Sequence, residues 1–219
     1  MIEEAFLTDN VPPELMDQLW ASGWRHFGKL FFRYATQEDE CGGQDVIQPL
    51  RIDLQRFTPS KSQRRVLRRN ADVQVVFQPA GRGAETESLF QRHKTRFTHN
   101  IPEDLGSFLS DEPATVPCTC VECRVMLGEE LVALSFLDLG EASTSSVYGF
   151  FEPEHSRRSL GIFTMLKEIE HSQELGCRWY YPGYATRGPS AYDYKKQFPA
   201  LQWLDWENGE WREFGLRGE

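Results

Sequence analysis

The stretch from Thr119 to Tyr181 constrains the fold more than any other part of the chain. Three β-forming runs follow one another there: Thr119 to Leu127, Glu130 to Leu139 and Ser145 to Glu152. Only Gly128-Glu129 separates the first two, a hairpin signal that makes them antiparallel neighbours. A helix is expected from Leu160 to Leu175, because Ile162, Phe163, Leu166 and Ile169 recur at helical spacing on one face. Gly176 ends it, and a strand follows from Arg178 to Tyr181.

Three antiparallel strands, a long helix and a returning strand are the order of an α/β acyltransferase fold of the GNAT (N-acetyltransferase) type. The strand-to-helix junction reads Phe150-Phe-Glu-Pro-Glu-His-Ser-Arg-Arg-Ser-Leu-Gly-Ile-Phe163. Arg157, Arg158 and Gly161 stand where such a fold cradles a phosphate: free N–H groups and the helix dipole attract an anion, and arginine adds charge. A coenzyme A cradle calls for a small residue two positions after the glycine. Phe163 fills that place, so the junction reads as an anion site that works without coenzyme A.

The first half is organised differently. Pro13 to Ser22 reads as a helix closed by Gly23, Lys29 to Ala35 as a strand, Thr36 to Asp45 as a polar loop and Val46 to Leu54 as a second strand. Ser60 to Asn70 opens with capping chemistry and reads as a short helix. Val73 to Phe77 is another strand. Gly81-Arg-Gly83 then suggests a boundary, giving a reduced N-terminal lobe over 1–80 and an acetyltransferase-like lobe over 81–219. Helices are expected at Glu85 to Phe97, Pro102 to Leu109 and Ala191 to Gln197, with a terminal hairpin around Asn208-Gly209.

Charge narrows the partner. The 219 residues carry a net charge of -9, which disfavours a general nucleic-acid binder. Yet Arg51, Arg56, Lys61, Arg64, Arg65, Arg68 and Arg69 cluster in one segment against a single acid, Asp53. Arginines at helical spacing share a face, and their planar forks suit phosphate oxygens. No apolar run approaches the ~20 residues of a membrane helix. The N-terminus has neither a basic nor an apolar leader region, so no signal peptide and a cytoplasmic setting are expected. The odd cysteine count (Cys41, Cys118, Cys120, Cys123 and Cys177) fits a reducing compartment. Cys118-Thr-Cys-Val-Glu-Cys123 has metal-like density. On a strand, however, Cys118 and Cys120 share a face that Cys123 leaves, and no histidine lies near in sequence, so no metal site is expected.

Four stretches, in order, resemble the aminoacyl-tRNA–protein transferases, the arginyl- and leucyl-transferring enzymes of the N-degron pathway. They are Leu19-Trp-Ala-Ser-Gly-Trp-Arg-His-Phe-Gly28; Pro49 to Leu54 with Phe57-Thr-Pro-Ser-Lys-Ser-Gln-Arg-Arg-Val-Leu-Arg-Arg-Asn70; Val147-Tyr-Gly-Phe-Phe-Glu-Pro153 with Arg158-Ser-Leu-Gly161; and Tyr180-Tyr-Pro-Gly-Tyr184 with Tyr194-Lys195. The resemblance implies a duplicated GNAT-like fold and transfer of arginine or leucine from charged tRNA to the N-terminal amine of a protein or peptide. Charged tRNA is then a co-substrate, and no cofactor is expected. Ser60, Ser62, Arg64, Arg65, Arg68, Arg69 and Asn70 are the implied tRNA contacts, with Arg157, Arg158 and Gly161 at a phosphate or the acceptor end. Tyr184, Asp193, Tyr194 and Lys195 would line the reaction site: the tyrosines orient substrate, Asp193 accepts a proton and Lys195 meets tRNA or an acidic acceptor.

The chain departs from the family in two places. Relatives carry a metal-associated Cys-x-x-Cys after the first strand, and the matching loop from Arg33 to Gly43 keeps only Cys41. Relatives also hold a cysteine and a Lys-Met pair where Pro189 and Ala191-Tyr192 stand here. Two other readings therefore stay open at this level: a coenzyme A-dependent N-acyltransferase, and a non-catalytic relative that binds tRNA or N-termini.

Overall fold

The computed structural model describes residues 2–38, 42–98 and 101–215. Its centre is a mixed sheet with helices on both faces. The chain begins with strand β1 (Glu3–Leu7), helix α1 (Pro13–Ala21) and strands β2 (Arg25–Phe27) and β3 (Leu30–Tyr34). β3 pairs antiparallel with both β1 and β2, making a small separate sheet. Strands β4 (Thr36–Glu38) and β5 (Gln44–Asp53), helix α2 (Lys61–Arg69) and strand β6 (Gln74–Pro79) follow, and then helix α3 (Ala84–His93). The second half supplies β7 (Cys120–Leu127), β8 (Glu130–Leu139), β9 (Ser143–Phe151), α4 (Leu160–Glu174), β10 (Trp179–Thr186), β11 (Leu201–Asp205) and β12 (Glu210–Glu213).

The large sheet has the order β12-β11-β5-β10-β9-β8-β7-β6, with β4 on the side of β5. The expected hairpin and helix thus form as read, and β10 returns parallel to β9. This is a GNAT-like fold. β5 and β6, which precede Gly81, are strands of the same sheet as everything after it.

Alternation along the strands divides the core. Leu134, Phe136 and Phe150 face α3, where Leu89 and Phe90 cover them. Val125 and Ala133 face α4 and meet Leu160 and Phe163, joined by Val132 at a bulge where the alternation of β8 is interrupted. Burying each large side chain is worth about 1.5–3 kcal/mol, which fixes the register of the central strands. Phe163 is 2% exposed within this core. Its ring therefore does not crowd a cradle at the helix start, and it cannot serve as the argument against coenzyme A.

Several local expectations differ from the structure. The polar loop after β3 contains β4, while Cys41 lies outside the described residues. Pro102 to Leu109 and Ala191 to Gln197 form only single 3-10 turns, at Leu105–Ser107 and Lys195–Gln197. β1 and β2 were not expected, because short strands leave little periodicity to read. β10 runs past Tyr181 despite Pro182, since a bulge between Tyr180 and Gly183 lets its ladder with β5 skip the residue that lacks an N–H.

Candidate active site

β9 and β10 share bonds only from Ser143 to Ser145 against Trp179 to Tyr181. Beyond that point they part, and β10 continues against β5. The fork leaves backbone groups of both strands without ladder partners, which a buried site must satisfy another way. Arg25, from β2, does this: its guanidinium donates to Ser145 Oγ, to the Ser146 carbonyl and, at 3.5 Å, to the Tyr181 carbonyl. One side chain of the small sheet thus clamps both arms of the fork.

Lys195 approaches from the other side. Its ammonium donates to the Tyr184 carbonyl at 3.2 Å and lies 5.0 Å from the centre of the Tyr192 ring. Between the two cations sits Gly183, with φ +96°, a conformation glycine adopts without steric penalty. A Cβ there would stand 3.2 Å from Lys195 Nζ and 3.7 Å from an Arg25 nitrogen. Burial, reinforced by Arg25, lowers the Lys195 ammonium to about 7. Burial also lowers the Arg25 guanidinium, against the pull of Tyr184 and Asp138.

Beneath the cations lies a carboxyl group. Glu168, on the inner face of α4, is 0% exposed, and its Oε2 accepts a hydrogen bond from Tyr180 at 2.5 Å. Burial raises Glu168 to about 7, although the hydroxyls of Ser135, Tyr180 and Ser146 pull it down. Burial and the Glu168 charge together raise Tyr180. Tyr194 stands within electrostatic reach of Glu168, and burial raises it to about 12. Tyr148, stacked 3.9 Å from Phe108, completes an aromatic wall facing Tyr192 and Tyr194.

The residues expected at the reaction site are therefore not equivalent. Lys195 and Tyr194 reach this cluster. Tyr184 touches it through its carbonyl and reaches Arg25 only electrostatically: its hydroxyl donates to the Gly23 carbonyl at 2.6 Å, and its ring meets Tyr34 edge-on. Asp193 pairs with Lys196 at 2.6 Å. Sequence reasoning missed Glu168, Tyr180 and Arg25 as site residues. For Glu168 a signal existed, because an acid on the buried stripe of an amphipathic helix needs a reason. For Arg25 the partners are more than a hundred residues away, and nothing local marks it.

The basic helix lies on α4. Ser60 and Gln63 form a reciprocal capping box, Gln63 being buried, and Ser62 Oγ bonds to Ser60 Oγ at 2.9 Å. Asn70, also buried, donates to the Val66 and Arg158 carbonyls, each at 3.0 Å. These polar residues shape the helix ends. Arg64 folds back on the Pro59 carbonyl, and Arg69 donates to the Arg157 carbonyl. That last bond draws the basic run and the Arg157–Gly161 junction into one surface. Arg158 makes a two-pronged pair with Asp72 at 2.8 and 2.9 Å, so its charge is already matched. Among the described residues, Lys61, Arg65, Arg68 and Arg157 are exposed and have no ion pair or side-chain hydrogen bond. Lys61, Arg65 and Arg68 recur at i, i+4 and i+7, one stripe of α2. A Cβ on Gly161 would meet only Phe151 at 3.5 Å, an ordinary contact.

No helix among the described residues is long and apolar enough to cross a membrane.

Comparison with known proteins places the chain in a family. The families described as arginine-tRNA-protein transferase, N terminus and C terminus, match residues 2–65 and 85–205. The chain is similar to proteins named aspartate/glutamate leucyltransferase. One from Marinobacter nauticus is 31% identical over 93% of this chain and 84% of its own length. Another, from Leptospira interrogans, is 27% identical over 89% and 76%. Among solved structures, FemX superposes with a TM-score of 0.51 at 10% identity, covering 86% of this chain and 65% of its own. The C-terminal domain of an Agrobacterium fabrum protein assigned as a lysylphosphatidylglycerol synthetase gives 0.52 at 15%, covering 85% and 55%. These two likenesses concern the fold alone. The chain belongs to the arginine-tRNA–protein transferase family and is an aminoacyltransferase, one that takes its acyl group from charged tRNA and delivers it to a protein.

Proposed function

We propose that the chain transfers leucine to the N-terminal amine of proteins that begin with aspartate or glutamate, acting in the cytoplasm. The carrying observation is the fork itself, where Arg25 and Lys195 flank Gly183 above the buried Glu168–Tyr180 pair. Leucine and an acidic acceptor are favoured by the names of the relatives.

Aminoacyl-tRNA is an activated ester, so the chemistry needs positioning, a proton acceptor and charge stabilisation. The acceptor amine attacks the ester carbonyl carbon, the amide C–N bond forms, and the bond to the ribose oxygen breaks. The amine loses one proton in that step and the departing oxygen gains one. Glu168, acting through the Tyr180 hydroxyl, takes the first proton and returns it to the leaving oxygen. Its value near 7 suits both directions. Lys195 and Arg25 face the negative charge that develops on the carbonyl oxygen. Lys61, Arg65, Arg68 and Arg157 take the tRNA phosphates, while Tyr192 and Tyr194 offer ring faces to its unpaired end. No step calls for a cofactor.

The test is transfer of label from leucyl-tRNA and arginyl-tRNA to peptides that differ only in the first residue. Leucine on Asp- and Glu-initiated peptides, lost in Glu168→Gln, is the expected result. Arginine in its place would correct the donor, and transfer to peptides of any N-terminus would remove the acidic acceptor. Acetyl-CoA serving as donor instead would sink the reading.

A further inference from the structure

His26, Cys118, Cys120 and Asp138 meet where the small sheet leans on the large one, all between 2% and 7% exposed. β2 brings the histidine, β8 the aspartate, and the cysteines come from the start of β7, where Cys120 lies directly across the ladder from Asp138. His26 Nε2, Cys118 Sγ and an Asp138 oxygen lie within 4.8 Å of one another. Cys120 stands beside this trio, its thiol donating to the Val121 carbonyl at 3.7 Å.

The hydrogen-bond bookkeeping at His26 leaves one position for a cation. Its Nδ1 lies 2.9 Å from the Gly28 carbonyl oxygen, which can only accept, so Nδ1 carries the hydrogen. In a neutral ring Nε2 is then a bare lone pair. It lies 2.7 Å from Asp138 Oδ2, another acceptor. Two lone pairs hold that distance only with a positive centre between them, either a second proton or a metal ion. A histidine fixed through Nδ1 by a backbone carbonyl, with Nε2 turned to a carboxylate and a thiol, has the outer support of a metal ligand.

We propose that His26 Nε2, the Cys118 sulfur and one Asp138 oxygen bind a single divalent transition metal, zinc by its preference for tetrahedral nitrogen and sulfur donors, with the Cys120 sulfur taking the fourth position once its thiol leaves the Val121 carbonyl. Neighbouring ligand atoms around tetrahedral zinc stand roughly 3.3–3.8 Å apart. The His26–Asp138 contact of 2.7 Å needs to widen by roughly 0.6 Å, or the other carboxylate oxygen to turn in, and the Cys120 side chain needs to swing toward the trio. Binding displaces to solvent the two thiol protons and the proton held between His26 Nε2 and Asp138. The bound ion would tie β2 to β7 and β8, and so fix Arg25, the residue before His26, in the fork.

Full-length protein freed of metal and titrated with cobalt(II) tests this. The expected result is one equivalent bound, with visible d–d bands of a tetrahedral site and a near-ultraviolet thiolate-to-cobalt band. That band falls by about half in Cys118→Ser and in Cys120→Ser, and stays unchanged in Cys41→Ser and Cys177→Ser. Zinc should displace the cobalt and raise the melting temperature of the wild-type protein, a readout independent of whether any variant folds. Absence of the bands in wild type, or their persistence in folded Cys118→Ser, overturns the proposal and leaves a buried His–Asp ion pair capped by thiols.

Discussion

Tyr180 donates its hydroxyl hydrogen to Glu168 over 2.5 Å, with both side chains completely buried. A carboxyl group in that position is held near neutrality by two opposed effects, desolvation upward and hydrogen bonding downward. The pair links the core of the sheet to the fork above it, and its protonation therefore bears on both stability and catalysis.

Stability should fall as pH rises from about 4.5 to about 7. In that window the folded chain keeps the Glu168 proton that the unfolded chain has lost, so unfolding is favoured by each step upward in pH. The full effect, present above pH 7, is about 3 kcal/mol from the size of the shift. Glu168→Gln keeps the shape and removes the titration. Urea melts across this range should show the slope in wild type and a flatter curve in the variant. An equal slope in both would reject the assignment.

Catalysis by the same group should rise with pH through about 7, where Glu168 becomes able to accept a proton. Lys195 works in the opposite sense, losing the charge that stabilises the oxyanion as pH passes about 7. The two groups interact, so the expected profile of kcat/KM is a narrow bell whose limbs belong to the pair. Glu168→Gln should lower kcat about 10²-fold or more and flatten the acidic limb. Lys195→Met should flatten the alkaline one. Single-turnover transfer from charged tRNA at varied pH reads both.

What could be read in the sequence follows the range of the interactions involved. The β7-to-α4 order was legible because hydrophobic periodicity and a two-residue turn act locally. So was the capping box at Ser60 and Gln63, in which four residues of chain contain the whole interaction. Lys195 and Tyr194 came from a motif that the resemblance carried. Its place on the buried stripe of α4 separates Glu168 from surface acids such as Glu170, but its partner Tyr180 is not legible from that stripe. Arg25 and His26 gain their roles from Ser145, Ser146 and Asp138, which chain topology brings close and no local pattern foretells. Arg158 fails as an open anion site for a similar reason: Asp72, distant in sequence, already occupies it.

Gly183→Ala should impair the site more than its size suggests. The backbone sits at φ +96°, and the new Cβ would press on the Lys195 ammonium at 3.2 Å. A loss of about 1–3 kcal/mol is expected from the backbone strain alone. Displacement of Lys195 adds a loss in kcat. A variant with wild-type melting and wild-type transfer would show that the cations do not converge there in the working enzyme.

Tyr184→Phe separates an anchor from a catalyst. Its hydroxyl bonds to the Gly23 carbonyl at 2.6 Å and so ties β10 to the turn before Arg25. Removing it should cost about 0.5–1.5 kcal/mol, with kcat close to wild type at temperatures well below melting. A large fall in kcat at unchanged stability would instead return Tyr184 to the reaction itself.

Arg65→Ala and Arg68→Ala address the tRNA surface without touching the fork. Neither side chain pairs with another described residue, so each substitution should leave stability within about 0.5 kcal/mol of wild type. If each neutralises a phosphate, each should weaken binding of charged tRNA whatever its sequence. Each should also reduce the slope of log K against log salt by about 0.7–0.9. Arg158→Ala makes the matched comparison. Its guanidinium is already paired with Asp72 on the surface, so breaking that pair should leave both the stability and the salt slope nearly unaltered. Fluorescence titration of labelled tRNA at several salt concentrations gives all three slopes. A slope lost in Arg158→Ala and kept in the α2 variants would move the tRNA contact from α2 to the start of α4.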